Sequence, residues 1–145
     1  MKSIQVLAAI IYLSFCHISQ AQILEDANYA FAESASSQKP VLLVFSGSDW
    51  CAPCIRFHKN VLSDENFIVY AEDHFIILKA DFPQRKKLNQ DQVQQNEKLA
   101  DQYNPKGQFP HIVLLAPDRT LLKTLYFKNQ TAQQFIAELS HQFAE

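Results

Sequence analysis

Two cysteines separated by two residues are the side chains of this sequence best suited to covalent chemistry. Cys51 and Cys54 follow an apolar run at residues 41–45 that is bounded by Pro40 and Gly47. A short, continuous apolar run of this kind predicts a buried strand, and the segment after Cys51 predicts a helix. This strand-to-helix turn would place Cys51 at the helix N-terminus and Cys54 one turn inside, which is the arrangement of a dithiol/disulfide redox centre.

The position of each cysteine predicts its role in thiol–disulfide exchange. The attacking species is the thiolate, and the free N–H groups at a helix N-terminus lower the pKa of a thiol placed there. Cys51 gains this effect fully and is the more exposed of the two, so we expect it to be the nucleophile and Cys54 the resolving cysteine. Pro53 suits the first helical turn and stiffens the loop. Trp50 is expected to pack beside the site, and an ordinary semi-buried aromatic residue is the alternative.

The first 21 residues have the pattern of a secretory signal peptide. One positive charge precedes a mostly apolar run at residues 4–15, and Ser19 and Ala21 form a small-x-small cleavage site. We therefore expect cleavage after Ala21 and a periplasmic or secreted domain of residues 22–145. An uncleaved membrane anchor and lipid attachment at Cys16 are the alternatives, and the bulky residue before Cys16 disfavours the second.

Composition limits the class of protein. The 145 residues suffice for one domain, and 48% are hydrophobic, so a sizeable core can form without disulfide staples. The net charge of -2 with scattered charges excludes the basic stripe of a nucleic-acid-binding protein. Without Cys16, the mature chain would keep Cys51 and Cys54 alone. A bridge between them closes a very small loop and constrains the unfolded chain little, which favours a redox role.

The elements around the cysteine pair alternate between helices and strands. Helices are expected at residues 23–37, from Cys51 onward, and at 64–72, 96–103 and 131–143, the last with a capping box of Thr131 and Gln134. Strands are expected at 41–45, 75–80, 111–115 and 120–127, the last two as a hairpin. The polar stretch 84–95 is either an exposed loop or an extension of the next helix. This order predicts an α/β fold with a central mixed sheet covered by helices on both faces.

Within this frame, Trp50-Cys51-Ala52-Pro53-Cys54 after a hydrophobic strand resembles the WCxPC signature of the thioredoxin superfamily. Phe109-Pro110 directly precedes the strand at 111–115, where that family has a cis-proline facing the dithiol. An X-Pro bond is chemically able to be cis, and a trans proline at the start of an edge strand is the alternative. The resemblance covers about residues 30–143, and the lead-in to the motif looks like that of exported proteins related to the C-terminal domain of the transmembrane disulfide reductase.

This resemblance implies a thioredoxin-like fold and an exported protein-disulfide oxidoreductase whose catalytic residues are Cys51 and Cys54. It implies a substrate groove lined by Trp50, Ala52, Pro53, Phe109 and Pro110, in which the backbone of Phe109 pairs with the bound substrate. The x-Pro linker resembles those of reductases and favours a reducing role. The implied partners are protein disulfides and a membrane or periplasmic thiol electron donor, with no cofactor and a monomeric state. The sequence leaves open the substrate protein, the donor, the reduction potential and the direction of electron flow.

Two features depart from the family pattern. Thioredoxin has a buried aspartate on the strand before the motif, whereas the corresponding residues here are apolar. Lys79 matches the lysine beside that aspartate, and the sequence supplies no evident partner for it. Proton transfer at Cys54 would then use water, Asp49 or another group, and Asp49 is expected to be solvated. Phe109 is bulkier than the residues usual at its position and would narrow the groove.

Two other functions are compatible with the residues. Zinc or copper binding would use Cys51, Cys54 and His58, since Cys54 and His58 share a helix face, with His74 or His111 as a further ligand. A solvated position is favoured for His58. For His111, a place beside the site is favoured over a cation that tunes the thiolate. A non-enzymatic binding protein would keep a resting disulfide, and an inert bridge should have a reduction potential below about -300 mV.

Overall fold

A computed structural model describes residues 21–141, in which five strands form one mixed sheet. The strands are Ile23–Leu24 (β1), Val41–Ser46 (β2), Ile76–Asp81 (β3), His111–Leu115 (β4) and Leu121–Leu125 (β5). Their order is β1-β3-β2-β4-β5; the first three are parallel, and β4 and β5 continue the sheet antiparallel. Most of the expected signal peptide, with Cys16, and the expected helix end at Phe143 lie outside the described residues.

Helices connect the strands and begin at polar caps. They are Ala27–Ser37 (α1), Ala52–Phe57 (α2), Glu65–His74 (α3), Gln90–Tyr103 (α4) and Ala132–Ser140 (α5), and α2 continues as a π-helical segment at His58–Leu62. The side chains of Asp26, Asp64 and Asn89 each accept a backbone N–H in the first turn of α1, α3 and α4. The predicted capping box of Thr131 and Gln134 is present at α5.

The central strand β2 is buried along its whole length and serves two hydrophobic cores. Leu42 and Val44 face a core formed with α2, the π-helical segment, α3 and α5. The alternate side chains, Val41, Leu43 and Phe45, face a second core formed with α1 and α4. The predicted α/β architecture, with helices on both faces of a mixed sheet, is confirmed.

The start of the first predicted helix is wrong. Ile23 and Leu24 form β1, which pairs in parallel with Ile77 and Leu78, and the helix begins only after the cap at Asp26. The strand that pairs with β1 lies more than fifty residues further along the chain. Hydrogen bonds to that strand fix the conformation of Ile23 and Leu24, although the local spacing of apolar residues is close to a helical period. The open question at residues 84–95 resolves into a loop up to the cap at Asn89 and then α4.

Between residues 21 and 141, none of the helices combines the length and apolar character that crossing a membrane requires. The longest described helix is α4, and its surface is largely polar.

Candidate active site

The cysteine pair lies at the end of β2, where the chain turns into α2. Cys51 is the N-cap residue of α2, Cys54 is one turn inside, and the two are joined by a disulfide with 5.2 Å between their Cα atoms. The backbone N–H of Cys54 donates to Sγ of Cys51 at 3.3 Å, and the N–H of Gly47 faces Sγ of Cys54 at 3.5 Å. Each sulfur therefore has a backbone donor beside it that can stabilise negative charge.

Both sulfur-bearing residues are largely covered in this oxidised state. Cys51 is 5% exposed and Cys54 is 2% exposed, so the expected order holds by a small margin. The two residues between them, Ala52 and Pro53, are exposed, and Pro53 stands in the first turn of α2 where its missing N–H leaves no helical bond unmade. A partner sulfur must therefore approach along the surface beside this linker.

The predicted cis peptide bond precedes β4. The Phe109-Pro110 bond is cis, which confirms the expectation. In the sheet, Phe45 of β2 pairs with His111 of β4, so Pro110 lies beside the end of β2, where the loop to Cys51 begins. Cys51 and Pro110, almost sixty residues apart in the sequence, are thus brought to the same end of the sheet.

Three aromatic rings, those of Trp50, Phe82 and Phe109, form a cluster at this end of the sheet. The ring of Phe109 meets Trp50 and Phe82 edge to face, with centroids 5.4 and 5.5 Å apart, and the indole N–H of Trp50 donates to the Phe82 carbonyl at 2.7 Å. Trp50 is 39% exposed, so one side of it faces solvent beside Cys51. The ring also covers Gly47, where a Cβ would lie 2.4 Å from an indole carbon, which restricts that position to glycine.

Asp49 is partly open to solvent, as expected, but its carboxylate is also bound to backbone groups of the loop after β3. Its two oxygens accept backbone N–H groups from Gln84, Arg85 and Lys86 at 2.7 to 2.9 Å. These bonds, led by that of Gln84, hold the pKa of Asp49 below its usual range, so it remains a carboxylate and is a poor proton acceptor. Its role is to hold the loop after β3 against the residues that lead into Cys51.

A second carboxylate holds the same lead-in from the sheet side. Asp81, the last residue of β3, is 4% exposed and accepts hydrogen bonds from the N–H and hydroxyl of Ser48, at 2.9 and 2.5 Å. Its own backbone carbonyl accepts a bond from the side chain of Asn96, which is buried on α4. Sequence reasoning missed Asp81 because its partner lies 33 residues away.

Lys79 has a carboxylate partner after all. Its ammonium lies 2.8 Å from Glu25, in the segment between β1 and α1, which corrects the expectation that this lysine lacks a partner. The bond to Lys79 lowers the pKa of Glu25, against the opposing effect of burial. The partner comes from a different element than in thioredoxin, so it could not be found by inspecting the strand before the motif. Glu25 lines an open polar cleft of about 670 Å³ along α1 and α4, which gives the pair access to water.

His58 and His111, two of the candidate ligands or cations, both have lowered pKa values. Burial lowers the pKa of His111 against the opposing effect of the hydrogen bond between its Nε2 and the carbonyl of Tyr103, at 3.0 Å. The lowered pKa favours a neutral residue beside the site over a tuning cation. The side chain of His58 is exposed, as expected. Partial desolvation of its ring by neighbouring atoms, with a smaller contribution from the charge of Lys79, lowers its pKa. Within residues 21–141, no three side chains of His, Cys, Asp or Glu gather in a metal-binding arrangement.

Comparisons with known proteins agree with this architecture. A family model described as Thioredoxin-like matches residues 22–117. The chain is 30% identical over 110 residues to the disulfide bond reductase DsbH of Chlamydia pneumoniae, covering 76% of this chain and 66% of that protein. It is 27% identical over 117 residues to the thioredoxin-related protein DsbJ of the same organism, covering 80% of this chain but 33% of DsbJ. The solved structure of a DsbH oxidoreductase superposes with a TM-score of 0.79 at 27% identity, covering 86% of this chain and 85% of that one.

Proposed function

The chain belongs to the thioredoxin-like family, and from this premise we propose that it is a thiol–disulfide oxidoreductase that reduces or exchanges protein disulfides. The observation that carries the proposal is the Cys51–Cys54 disulfide at the first turn of α2, with a backbone N–H on each sulfur and the cis bond at Pro110 alongside. The similarity to a protein named disulfide bond reductase supports the same activity.

In the reducing direction, the reaction begins from the dithiol. The thiolate of Cys51, stabilised by the N–H of Cys54, attacks one sulfur of a substrate disulfide; a mixed disulfide forms and the other substrate sulfur leaves as a thiolate that takes up a proton. Cys54 then gives its proton to water and attacks Sγ of Cys51. The bond from Cys51 to the substrate breaks, the second substrate sulfur leaves as a thiolate that takes up a proton, and the Cys51–Cys54 bond closes. Two electrons pass to the substrate, and a dithiol donor must return the enzyme to its reduced form.

The groove for the substrate is expected between the α2 N-terminus and the cis-proline. Ala52 and Pro53 form one wall, Pro110 the other, and Trp50 and Phe109 close one end with their edge-to-face contact. Ala52-Pro53 as the linker favours reduction over oxidation. The substrate protein is reached outside the cytosol, after removal of residues 1–21, and a membrane or periplasmic thiol protein is the electron donor for a monomeric enzyme.

Replacement of each cysteine by serine tests the assignment of roles. Cys51→Ser should abolish disulfide exchange, because no nucleophile remains at the helix N-terminus. Cys54→Ser should accumulate covalent substrate complexes, because the mixed disulfide is no longer resolved. The measurements are turnover of a disulfide substrate and non-reducing electrophoresis of trapped complexes. Retained turnover in Cys51→Ser would defeat the assignment.

The reduction potential of the pair separates a working enzyme from a binding protein with a resting bridge. A value near that of thioredoxin, about -270 mV, is expected for a reductase, and a structural bridge would have a value below about -300 mV.

A further inference from the structure

Three consecutive cations, Arg85, Lys86 and Lys87, form a cationic loop between β3 and α4. All three side chains are exposed. In the described part of the chain, none of them has a carboxylate oxygen within ion-pair distance, whereas Lys79 pairs with Glu25. The charges of the loop also reach two carboxylates. The pKa of Asp49 is lowered mainly by the hydrogen bond from Gln84, with a small contribution from the charge of Arg85. The pKa of Glu25 is lowered mainly by the hydrogen bond from Lys79, with a small contribution from the charge of Lys86. The loop therefore presents an excess of positive charge to solvent.

The cationic loop is held firmly at the edge of the proposed groove. Asp49 accepts the backbone N–H groups of Arg85, Lys86 and the preceding Gln84, and Trp50 donates to the carbonyl of Phe82. Asp49 and Trp50 directly precede Cys51, so the hydrogen bonds that order the loop also fix its distance from the disulfide. A charge run that served only solubility would need no such attachment.

The segment that carries the cationic loop also contacts the residue before the cis-proline. The ring of Phe82 packs edge to face on Phe109, the residue before Pro110. The loop is thus joined, through Trp50 and Phe109, to the end of the groove that these two rings close. A polypeptide lying in the groove would have this end beside the cations.

The positive charge of the cationic loop is opposite in sign to the net charge of the whole chain. The whole chain carries -2, so the positive region is set against a weakly negative molecule. Cations at the rim of a binding site raise the encounter rate of ligands of opposite charge and repel those of like charge. The bonds to Asp49 use backbone N–H groups, which leaves the three side chains available to a ligand.

We propose that Arg85, Lys86 and Lys87 select protein substrates that carry acidic residues beside the disulfide to be exchanged. The inference rests on the proposed oxidoreductase function and names its substrate class. The cations act on encounter and recognition, while the electron transfer remains with Cys51 and Cys54.

The test uses three disulfide peptides of equal length with acidic, neutral or basic flanks. Pre-reduced enzyme is mixed with each, and the second-order rate constant is measured at about 0.01 M and about 1 M salt, where the screening length falls from about 30 Å to about 3 Å. The native protein should reduce the acidic peptide about tenfold faster than the neutral one at low salt, and at equal rates at high salt.

A matched pair of variants assigns the effect to the loop. Arg85→Gln/Lys86→Gln/Lys87→Gln keeps the backbone bonds to Asp49 and should lose the preference for acidic flanks, with the rate for the neutral peptide unchanged. Lys39→Gln/Arg119→Gln/Lys123→Gln removes the same charge near the opposite end of β2 and should keep the preference. Equal loss in both variants, or no preference in the native protein, overturns the proposal.

Binding without chemistry separates this proposal from the oxidoreductase function. An acidic peptide with serine in place of each cysteine should bind the native protein more tightly than the loop variant, by fluorescence anisotropy. If no peptide is reduced but this difference remains, the oxidoreductase function fails and the acidic ligand class stands. Equal peptide binding, with loss of binding to phosphatidylserine vesicles in the loop variant alone, would assign the loop to a membrane surface and overturn the proposal.

Discussion

At the scale of single residues, the contact between Lys79 and Glu25 replaces a pairing that the motif alone could not supply. Lys79 is on β3, which runs beside β2, and Glu25 reaches it from the start of the described chain. The side chain of Glu25 is 42% exposed, so solvent screens the pair. The carboxylate of Glu25 still places a negative charge next to Lys79. Lys79 is on β3, which pairs with β2, the strand that leads to the cysteines.

Glu25→Gln should lower the free energy of unfolding at neutral pH by less than about 1 kcal/mol, because the pair is partly exposed. Since the pKa of Glu25 is lowered in the folded state, this stability is present above the ordinary pKa of the carboxyl group and is lost as pH falls through the lowered value. Urea unfolding at about pH 7 and about pH 2 measures the difference.

Glu97→Gln is the control, because Glu97 is an exposed glutamate with no ion pair within the described residues. It should leave the pH dependence unchanged. An equal loss of stability for Glu25→Gln at both pH values would show that the pair with Lys79 is not its cause.

At the scale of elements, the site is assembled by the loop after β3 as much as by α2. Asp49 accepts three backbone N–H groups from this loop, and Asp81, at the end of β3 where the loop begins, accepts hydrogen bonds from Ser48. Two carboxylates therefore join the lead-in to Cys51 to the continuous segment 81–86. None of these hydrogen bonds involves a sulfur atom, so the contacts of Asp49 and Asp81 can stay in place while the disulfide opens and closes.

Asp49→Asn should free the loop at residues 84–86, because both Arg85 and Lys86 donate to the same oxygen, Oδ2, and an amide offers one acceptor oxygen in place of two. Hydrogen–deuterium exchange of these amides should become faster. In the native protein, the protection is present above the ordinary pKa of Asp49 and is lost as pH falls through its lowered pKa.

Asp118→Asn is the matched control for this loop. Asp118 also has a lowered pKa, but its carboxylate accepts bonds from Thr120 in the β4–β5 turn, away from residues 84–86. Exchange at residues 84–86 should not change in this variant. Unaltered exchange there in Asp49→Asn would show that the carboxylate does not hold the loop.

Features encoded within a few residues could be predicted, and features that depend on remote partners could not. The redox pair, the strand His111–Leu115 and the capping box at Thr131 each follow from local spacing. β1 needs its partner on β3, and Glu25 needs Lys79, 54 positions further along the sequence. The cis bond at Pro110 was accessible because the family resemblance supplied the long-range information.

At the scale of the whole molecule, one sheet with a core on each face places the redox pair at the end of its central strand. The described domain begins at Ala21, whose backbone N–H donates to Glu72 of α3 at 2.8 Å. Cleavage after Ala21 would remove this bond and leave β1 one residue behind the new terminus. The first core would lose the contact of Ala21 at its margin, while the buried residues of both cores would remain.

Export should yield a protein whose mature chain begins at Gln22. The basic start, the apolar run and the small residues at positions 19 and 21 are the features that a signal peptidase reads. Expression of the full chain in a bacterial host, cell fractionation and intact mass measurement test this. Cys16→Ser is the control: processing should be unchanged, whereas loss of processing would indicate lipid attachment at Cys16, and retention of residues 1–21 would indicate an uncleaved anchor.

The indole of Trp50 gives this protein a built-in optical reporter. It is the one tryptophan in the sequence, it adjoins Cys51, and it is in contact with both Phe109 and the loop after β3. Intrinsic tryptophan emission therefore arises from a single place, the edge where the sulfurs, the proline and the cationic loop meet. Sulfur oxidation, peptide docking and loosening of the loop can each be followed in real time in the unlabelled protein.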